Sequence, residues 1–329
     1  MLLAGDIGAT KTLIGLFSPA PVRPDPIDVR SYVTFQHDSL ETIVDEFLSI
    51  ERSGPRLTVT GASFGVAGPI VEQVGRLTNV PWKVDAAAIA RQFSIPRATL
   101  LNDLEAMAYS VPVLEANEIA VLQAGRRVRS GNAALIAAGT GLGEALLHNV
   151  NGQLIPSPTE GGHGDFAPRT PREIGLLEEL IRLYGRADYE RVLSGPGLVN
   201  VHRFVHPRGC PAWDGAVDPA HAPSLISRAA LEGRCPQCVE ALDLFVSVYG
   251  AEAGNLALRS VASAGLFLGG GIAPKILPAL RQGPFLEAFL AKAPMAEFVS
   301  AVPVAVILND RAGLLGAAVH ANLAEHAVR

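Results

Sequence analysis

The sequence predicts an α/β fold built from two related halves. Two of the observations behind this are glycine-rich stretches, each set between short apolar runs. Gly5-Asp6-Ile7-Gly8-Ala9-Thr10-Lys11-Thr12 lies between residues 2–4 and 13–17, and Ala138-Gly139-Thr140-Gly141-Leu142-Gly143-Glu144 lies between residues 133–137 and 145–147. Each reads as a β-hairpin with a glycine tip that opens one half of the chain. The third observation is size: 329 residues with 49% hydrophobic content can bury a large core and favour two domains.

After the first hairpin, residues 31–35 read as a third strand. Asp38 and Glu41 then form a capping-box pair ahead of Leu40, Ile43, Val44, Phe47 and Leu48, which share one helical face. Residues 57–66 alternate and end in Gly65-Val66-Ala67-Gly68-Pro69, with a further strand near 75–78. A short helix after Asp85, a strand at 99–101 and a helix over 104–109 complete the half. Three strands, helix, strand, helix, strand, helix is the order of a ribonuclease H-like or actin-like half.

The second half begins about Gly131 and repeats the hairpin. Thr170-Pro171-Arg172-Glu173 supplies an N-cap, a first-turn proline and a glutamate, followed by Ile174, Leu177, Leu180, Ile181 and Tyr184 as the apolar stripe of a helix. Residues 207–223 are the most loop-like, and a long helix runs from Cys235 to about Leu258. Leu266-Phe267-Leu268 leads into Gly269-Gly270-Gly271, a buried strand that ends in a third glycine cluster. A strand at 304–308 and a helix at 312–324 are expected to cross back to the first half. No low-complexity tract separates the halves, so their boundary is expected to be a hinge with a cleft between two ribonuclease H-like domains.

Charge and composition narrow the partners. A net charge of −5 and a pI near 5.9 give no basic stripe for nucleic acid, so a phosphate-bearing partner is expected to be small. No basic region precedes the first apolar residues and Asp6 interrupts them, which argues against a signal peptide and for a cytoplasmic protein. The apolar windows at 133–147 and 261–274 are too short and glycine-rich to span a membrane. Cys210, Cys235 and Cys238 are too few for a disulfide framework. With His202 and His206 they can be written as a zinc set, but Cys235 and Cys238 fall on a helix start and no second Cys-x-x-Cys exists, so reduced structural thiols are the expectation.

The hairpins carry the first chemistry. Glycines let backbone N–H groups converge on phosphate oxygens, and the threonine hydroxyls add donors. Asp6 beside a polyphosphate would repel it unless Mg²⁺ or its water shell lay between, which makes Asp6 the metal-side candidate. Neither stretch is a Walker loop or a dinucleotide fingerprint, and ordinary turns use the same residue types. Asn102-Asp103 stands where a strand gives way to a helix, so Asp103 is either a helix N-terminal acid or a catalytic base. In Thr159-Glu160-Gly161-Gly162-His163-Gly164-Asp165 a carboxylate and an imidazole sit on a glycine-framed loop, and Glu190 precedes Ser194-Gly195-Pro196-Gly197. Carboxylates so presented suit a polyhydroxylated ligand, since one can accept from two neighbouring hydroxyls. A solvated histidine and a solvated helix face are the plainer readings of His163 and Glu190.

Across its whole length the chain resembles the bacterial glucokinases, ATP-dependent sugar kinases of the hexokinase and actin-like superfamily. The resemblance is carried by Gly5-Asp6-Ile7-Gly8, Leu77-Thr78-Asn79 with Pro81-Trp82, Leu101-Asn102-Asp103, Glu160-Gly161-Gly162-His163 with Asp165-Phe166-Ala167-Pro168, Glu190 to Gly197, and Gly269-Gly270-Gly271-Ile272-Ala273-Pro274-Lys275. It implies Asp103 as catalytic base and Asn79, Asn102, Asp103, Glu160, His163 and Glu190 as sugar ligands. It also implies that Gly8, Ala9, Thr10, Lys11, Gly139, Thr140, Gly141 and Gly143 meet the phosphates, with Gly270 and Gly271 on the adenosine side. Glucose and ATP with Mg²⁺ (through Asp6), a homodimer, and a small domain of residues 1–110 with 301–329 beside a large one of 111–300 follow from the same resemblance. The chain departs from the family pattern at Ala9-Thr10-Lys11, where a second glycine and then asparagine are usual, and at Gly164, where a β-branched residue is common. Lys11 resembles the wider family of repressors and kinases, whose regulators place a DNA-binding domain ahead of the hairpin. The other readings are a kinase of mannose, glucosamine or an N-acetylhexosamine, and an actin-like nucleotide-binding module without sugar chemistry.

Overall fold

The computed structural model describes residues 1–51, 58–77, 80–206, 210, 218 and 221–326. The chain divides into two compact units, Met1–Glu115 with Asn309–Arg329, and Ala116–Leu308. In the first, strands β1 (Leu2–Ile7), β2 (Lys11–Ser18) and β3 (Asp25–Val33) form an antiparallel meander, followed by helix α1 (Leu40–Glu51). Strand β4 (Gly61–Val66) lies parallel to β1. A small antiparallel sheet of β5 (Ile70–Val71), β6 (Val74–Arg76) and β7 (Lys83–Asp85) comes next, then α2 (Ala86–Phe93), β8 (Ala98–Asn102) and α3 (Asp103–Ser110). The five-stranded sheet runs in the order β3-β2-β1-β4-β8.

The second unit repeats this plan. Strand β9 (Ile119–Gln123) precedes the meander β10 (Ala133–Ala138), β11 (Leu142–Val150) and β12 (Gln153–Thr159). Helices α4 (Pro171–Tyr184), α5 (Gly195–Val205), α6 (Ala222–Leu231) and α7 (Pro236–Ser260) lead to β13 (Gly265–Gly269), which is parallel to β10. Short helices α8 (Leu277–Leu280), α9 (Gly283–Leu290) and α10 (Ala296–Ala301) precede β14 (Val304–Ile307). The sheet order β12-β11-β10-β13-β14-β9 contains the first unit's order, with β9 added at the edge. The last helix, α11 (Ala312–His326), belongs to the first unit, where Leu314, Ala317, Ala318 and Ala321 pack with Leu2, Ala4, Leu101 and Ala106. Gly316 is required there, because a Cβ would meet the Ala106 carbonyl. Of the two C-terminal elements expected to cross back, only the helix does so: β14 pairs with β13 and β9.

Several local expectations are corrected. The hydroxyl at the start of α1 is that of Ser39, which accepts from Thr42 N at 3.3 Å, where Asp38 was expected. The third strand ends at Val33 and Thr34–Gln36 form a single 3₁₀ turn. Strand β4 is buried at every position, because a parallel strand between two others is covered on both faces and loses its alternation. Thr170 caps α4 as expected, through its hydroxyl and Glu173 N. The buried face of α4, however, carries Glu173, Leu176 and Leu180, while Ile174, Ile181 and Tyr184 are exposed. Glu173 is accepted in that core because Arg169 pairs with both its oxygens.

Candidate active site

In the first unit the parallel register brings the expected residues to one edge. Ile7 pairs with Val66 and Val66 with Asn102, so β1, β4 and β8 end level and release Gly8, Gly68 and Asp103 from the same end of the sheet. The tip of the first hairpin is closed by Gly8 N donating to Lys11 O at 3.0 Å and held by Thr34, whose hydroxyl donates to Gly8 O at 2.8 Å. Thr10 and Lys11 are exposed, and Gly8 and Ala9 half-buried. Asp6 is half-buried near the end of β1, beside Gly313 of α11, where any Cβ would meet its carboxylate. Burial and the neighbouring charge of Asp103, opposed by Lys11, push its carboxyl up to about 6.

Asn102, not Asp103, is the N-cap of α3. Its side chain accepts from Leu104 N at 3.0 Å, and Asp103 is the first helical residue, exposed, with Oδ1 2.8 Å from the same N–H. The helix N-cap is therefore the neighbouring Asn102, and Asp103 shares the Leu104 N–H with it. Asn79 lies outside the described residues.

In the second unit the loop of Glu160 is zipped to the segment before Glu190. Tyr189 N donates to Gly164 O at 3.0 Å and Glu190 N to Gly162 O at 2.9 Å, so two segments distant in sequence become neighbours. Glu160 and His163 are exposed, and Glu190 is half-buried. Glu190 does more than line this loop: its Oε2 accepts from Leu142 N at 2.9 Å, tying it to the second hairpin. That hairpin turns at Gly139–Gly141, with Gly139 N donating to Gly141 O at 2.8 Å and Gly195 N to Gly139 O at 2.8 Å. Gly143 lies within β11 opposite Ala137, and so is not part of the tip. At the end of the parallel neighbour β13, Gly270 has φ 79° and a Cβ there would meet Ala138 O, so no other residue fits; Gly271 beside it is exposed.

The two sheets with one strand order, and their glycine-bearing strand ends, define a two-domain actin-like fold. A model of the glucokinase family matches residues 3–324. A glucokinase of Nostoc sp. is 38% identical, covering 97% of this chain and 98% of its own, and one of Synechocystis sp. is 37% identical with 96% of each chain covered. The chain belongs to the glucokinase family. Among solved structures it is similar to a glucokinase from an Antarctic psychrotroph, at 29% identity, a TM-score of 0.86 and 98% of both chains. A glucokinase of the repressor and kinase (ROK) family from Streptomyces griseus, solved with glucose and AMPPNP, shares the fold at 21% identity and a TM-score of 0.61.

This glucokinase-family chain also uses residues that the sequence reading did not single out. Asp188 Oδ2 stands 3.6 Å from His163 Nδ1, and Arg186 donates to both Asp165 Oδ1 (2.8 Å) and His163 O (2.6 Å), which fixes the loop that bears His163. The only sequence signal was their place just ahead of the Glu190 block. Beneath the same loop lies Glu144, buried, with Arg259 Nη2 3.3 Å from its Oε2; Arg259 also pairs with Glu252. Burial and then Glu252 push the Glu144 carboxyl well above the usual carboxylate range, with Arg259 opposing. Among the described residues no helix is long and apolar enough to cross a membrane.

Proposed function

We propose that this glucokinase-family hexose kinase transfers the γ-phosphate of ATP to the 6-hydroxyl of D-glucose, with Asp103 as the general base. The observation that carries the assignment is the place of Asp103, exposed in the first turn of α3 where β8 ends, with Asn102 as the N-cap of that helix. Asp103 takes the proton as the hydroxyl oxygen attacks. Glu160, Glu190 and, more weakly, His163 hold the other sugar hydroxyls, joined by Asn79 and Asn102. The backbone amides of Gly8 to Lys11 and of Gly139 to Gly141 hold phosphate oxygens, and Gly270 and Gly271 leave room for the adenosine.

Asp6 fits Mg²⁺: it is a hard oxygen donor, half-buried, and its charge is crowded by that of Asp103, which a cation would relieve. Asp6 would hold the ion through water, and the bound ion would neutralise charge on the phosphate oxygens. Exposed Ile174, Ile181 and Tyr184 on one helix support a homodimer, and the acidic net charge supports a small rather than a polymeric phosphate-bearing substrate, with a cytoplasmic location as part of the same reading. The test is a coupled assay of ADP release with Mg-ATP against a panel of hexoses. Glucose-dependent turnover is expected, and ATP turnover indifferent to every hexose would leave only a nucleotide-binding module.

A further inference from the structure

The second unit holds a cluster of metal-binding side chains that the reaction does not use. His202 and His206 stand one turn apart at the end of α5, the His206 backbone N donating to His202 O at 2.7 Å. Cys235 is the N-cap of α7 and Cys238 lies in its first turn; both are fully buried. Cys210 comes between, from the chain that links α5 to α6. The donor atoms of His202, Cys210 and Cys238 all lie within 4.8 Å of one another, as do those of His206, Cys210 and Cys235. In sequence the Cys-x-x-Cys pair has no matching second pair, which favours ordinary reduced thiols. The fold supplies the missing donors from another helix.

We propose that Cys210, Cys235 and Cys238, with one imidazole of the His202 and His206 pair, bind a single structural Zn²⁺ that ties the end of α5 to the start of α7. The sulfur spacing carries the argument. Cys210 Sγ is 3.6 Å from Cys235 Sγ and 3.4 Å from Cys238 Sγ. Two thiolates about 2.3 Å from a tetrahedral zinc stand about 3.8 Å apart, so these separations need little adjustment. None of the three cysteines is in a disulfide. Two further features fit zinc. His206 Nε2 is buried with no hydrogen-bond partner among the described residues, a cost that a metal ligand would remove. Cys235 and Cys238 also belong to the hydrophobic core and Cys210 packs against it, a setting that suits a structural rather than a catalytic ion.

The consequence is mechanical. Helix α5 starts at Ser194 and Gly195, whose N–H binds Gly139 O of the second hairpin, and Ser194 Oγ donates to Glu190 O at 2.7 Å. A metal at its far end fixes the helix that carries these contacts. The test is metal analysis of the full chain purified from zinc-supplemented medium, followed by cobalt exchange. About one zinc per chain is expected, falling at least tenfold in Cys210→Ser, and the cobalt form should show the bands of a tetrahedral thiolate site. In the native protein the three thiols should resist a disulfide reagent until a strong chelator removes the metal, and removal should lower Tm by about 10 °C. Protein that takes up less than about a tenth of an equivalent after zinc repletion, zinc content unaffected by Cys210→Ser, or a cobalt spectrum without sulfur bands would each overturn the proposal. If Cys210→Ser fails to fold, the cobalt spectrum and thiol count of the wild-type chain decide it alone.

Discussion

A side chain on Gly141 would run into Glu190: its Cβ would stand 2.6 Å from Glu190 Oε2, the oxygen that already accepts from Leu142 N at 2.9 Å. The carboxylate proposed for the sugar is thus also a structural part of the hairpin proposed for the phosphates, whereas Glu160 is exposed on its own loop. The two glutamates should separate kinetically. Glu160→Ala is expected to raise the glucose KM roughly tenfold or more, at a cost of about 1.5–3 kcal/mol for a lost charged partner, with the affinity for an ATP analogue unchanged. Glu190→Ala is expected to raise the glucose KM and also to weaken the analogue, as is Gly141→Ala. Calorimetry of the analogue without sugar checks this, and equal behaviour of the two glutamate variants would refute it.

Asp103→Asn tests the base. Because Asn102 provides the cap, the substitution should leave Tm within a degree or two while kcat falls by roughly two to four orders of magnitude. Asn102→Ala should do the reverse in stability, losing about 1 kcal/mol with the cap. A near wild-type kcat in Asp103→Asn would move the proton acceptor elsewhere.

These contrasts show what the sequence could convey. The hairpins were legible because glycine tips between apolar runs are local signals, and the repeated strand order followed from them. Strand β4 was harder to bound, since burial on both faces removes the alternation by which a strand announces itself. On α4 the apolar residues are spread around the helix, so periodicity chose a face that includes the exposed Ile174 and Ile181. Asp103, Glu160, His163 and Glu190 were legible as residue types in unusual settings. That Glu190 bonds to Leu142, or that Cys210 meets Cys235 and Cys238, depends on tertiary placement, which no local pattern encodes.

Asp6 gives a pH prediction for the Mg²⁺-free protein. Its carboxyl sits at about 6 in the folded chain against 3.8 for an ordinary aspartate, so folding favours the neutral form. That contribution is complete below pH 3.8 and is lost as pH rises through about 6, on the order of 3 kcal/mol in all. Asp6→Asn removes the ionisation, so the variant should gain stability relative to wild type as pH rises from 4 to 8, by roughly that amount. Denaturant melts of both proteins across this range measure it, and a constant difference would show that Asp6 is ionised without strain. Added Mg²⁺ should narrow the gap at pH 8 in wild type alone.

The buried Glu144 makes the last prediction. Its carboxyl is raised to about 8 by burial and by Glu252, so its neutral form is the one the fold favours, and the associated stability is complete below pH 4.5 and lost as pH rises through about 8. The loop above it shares the effect. Thr159 Oγ donates to Glu144 O and accepts from Gly161 N, and a Cβ on Gly161 would meet Glu144 Oε2, so a newly ionised Glu144 presses on the turn that presents Glu160 and His163. Wild-type Tm should therefore fall as pH rises from about 5 to 8, and KM for glucose should rise as pH passes about 8. Glu144→Gln keeps the shape and the neutral state, and should flatten both trends without changing KM near neutrality by more than about twofold. Parallel pH profiles of KM and Tm for the two proteins provide the measurement. Curves that rise together in both would place the alkaline sensitivity in another group.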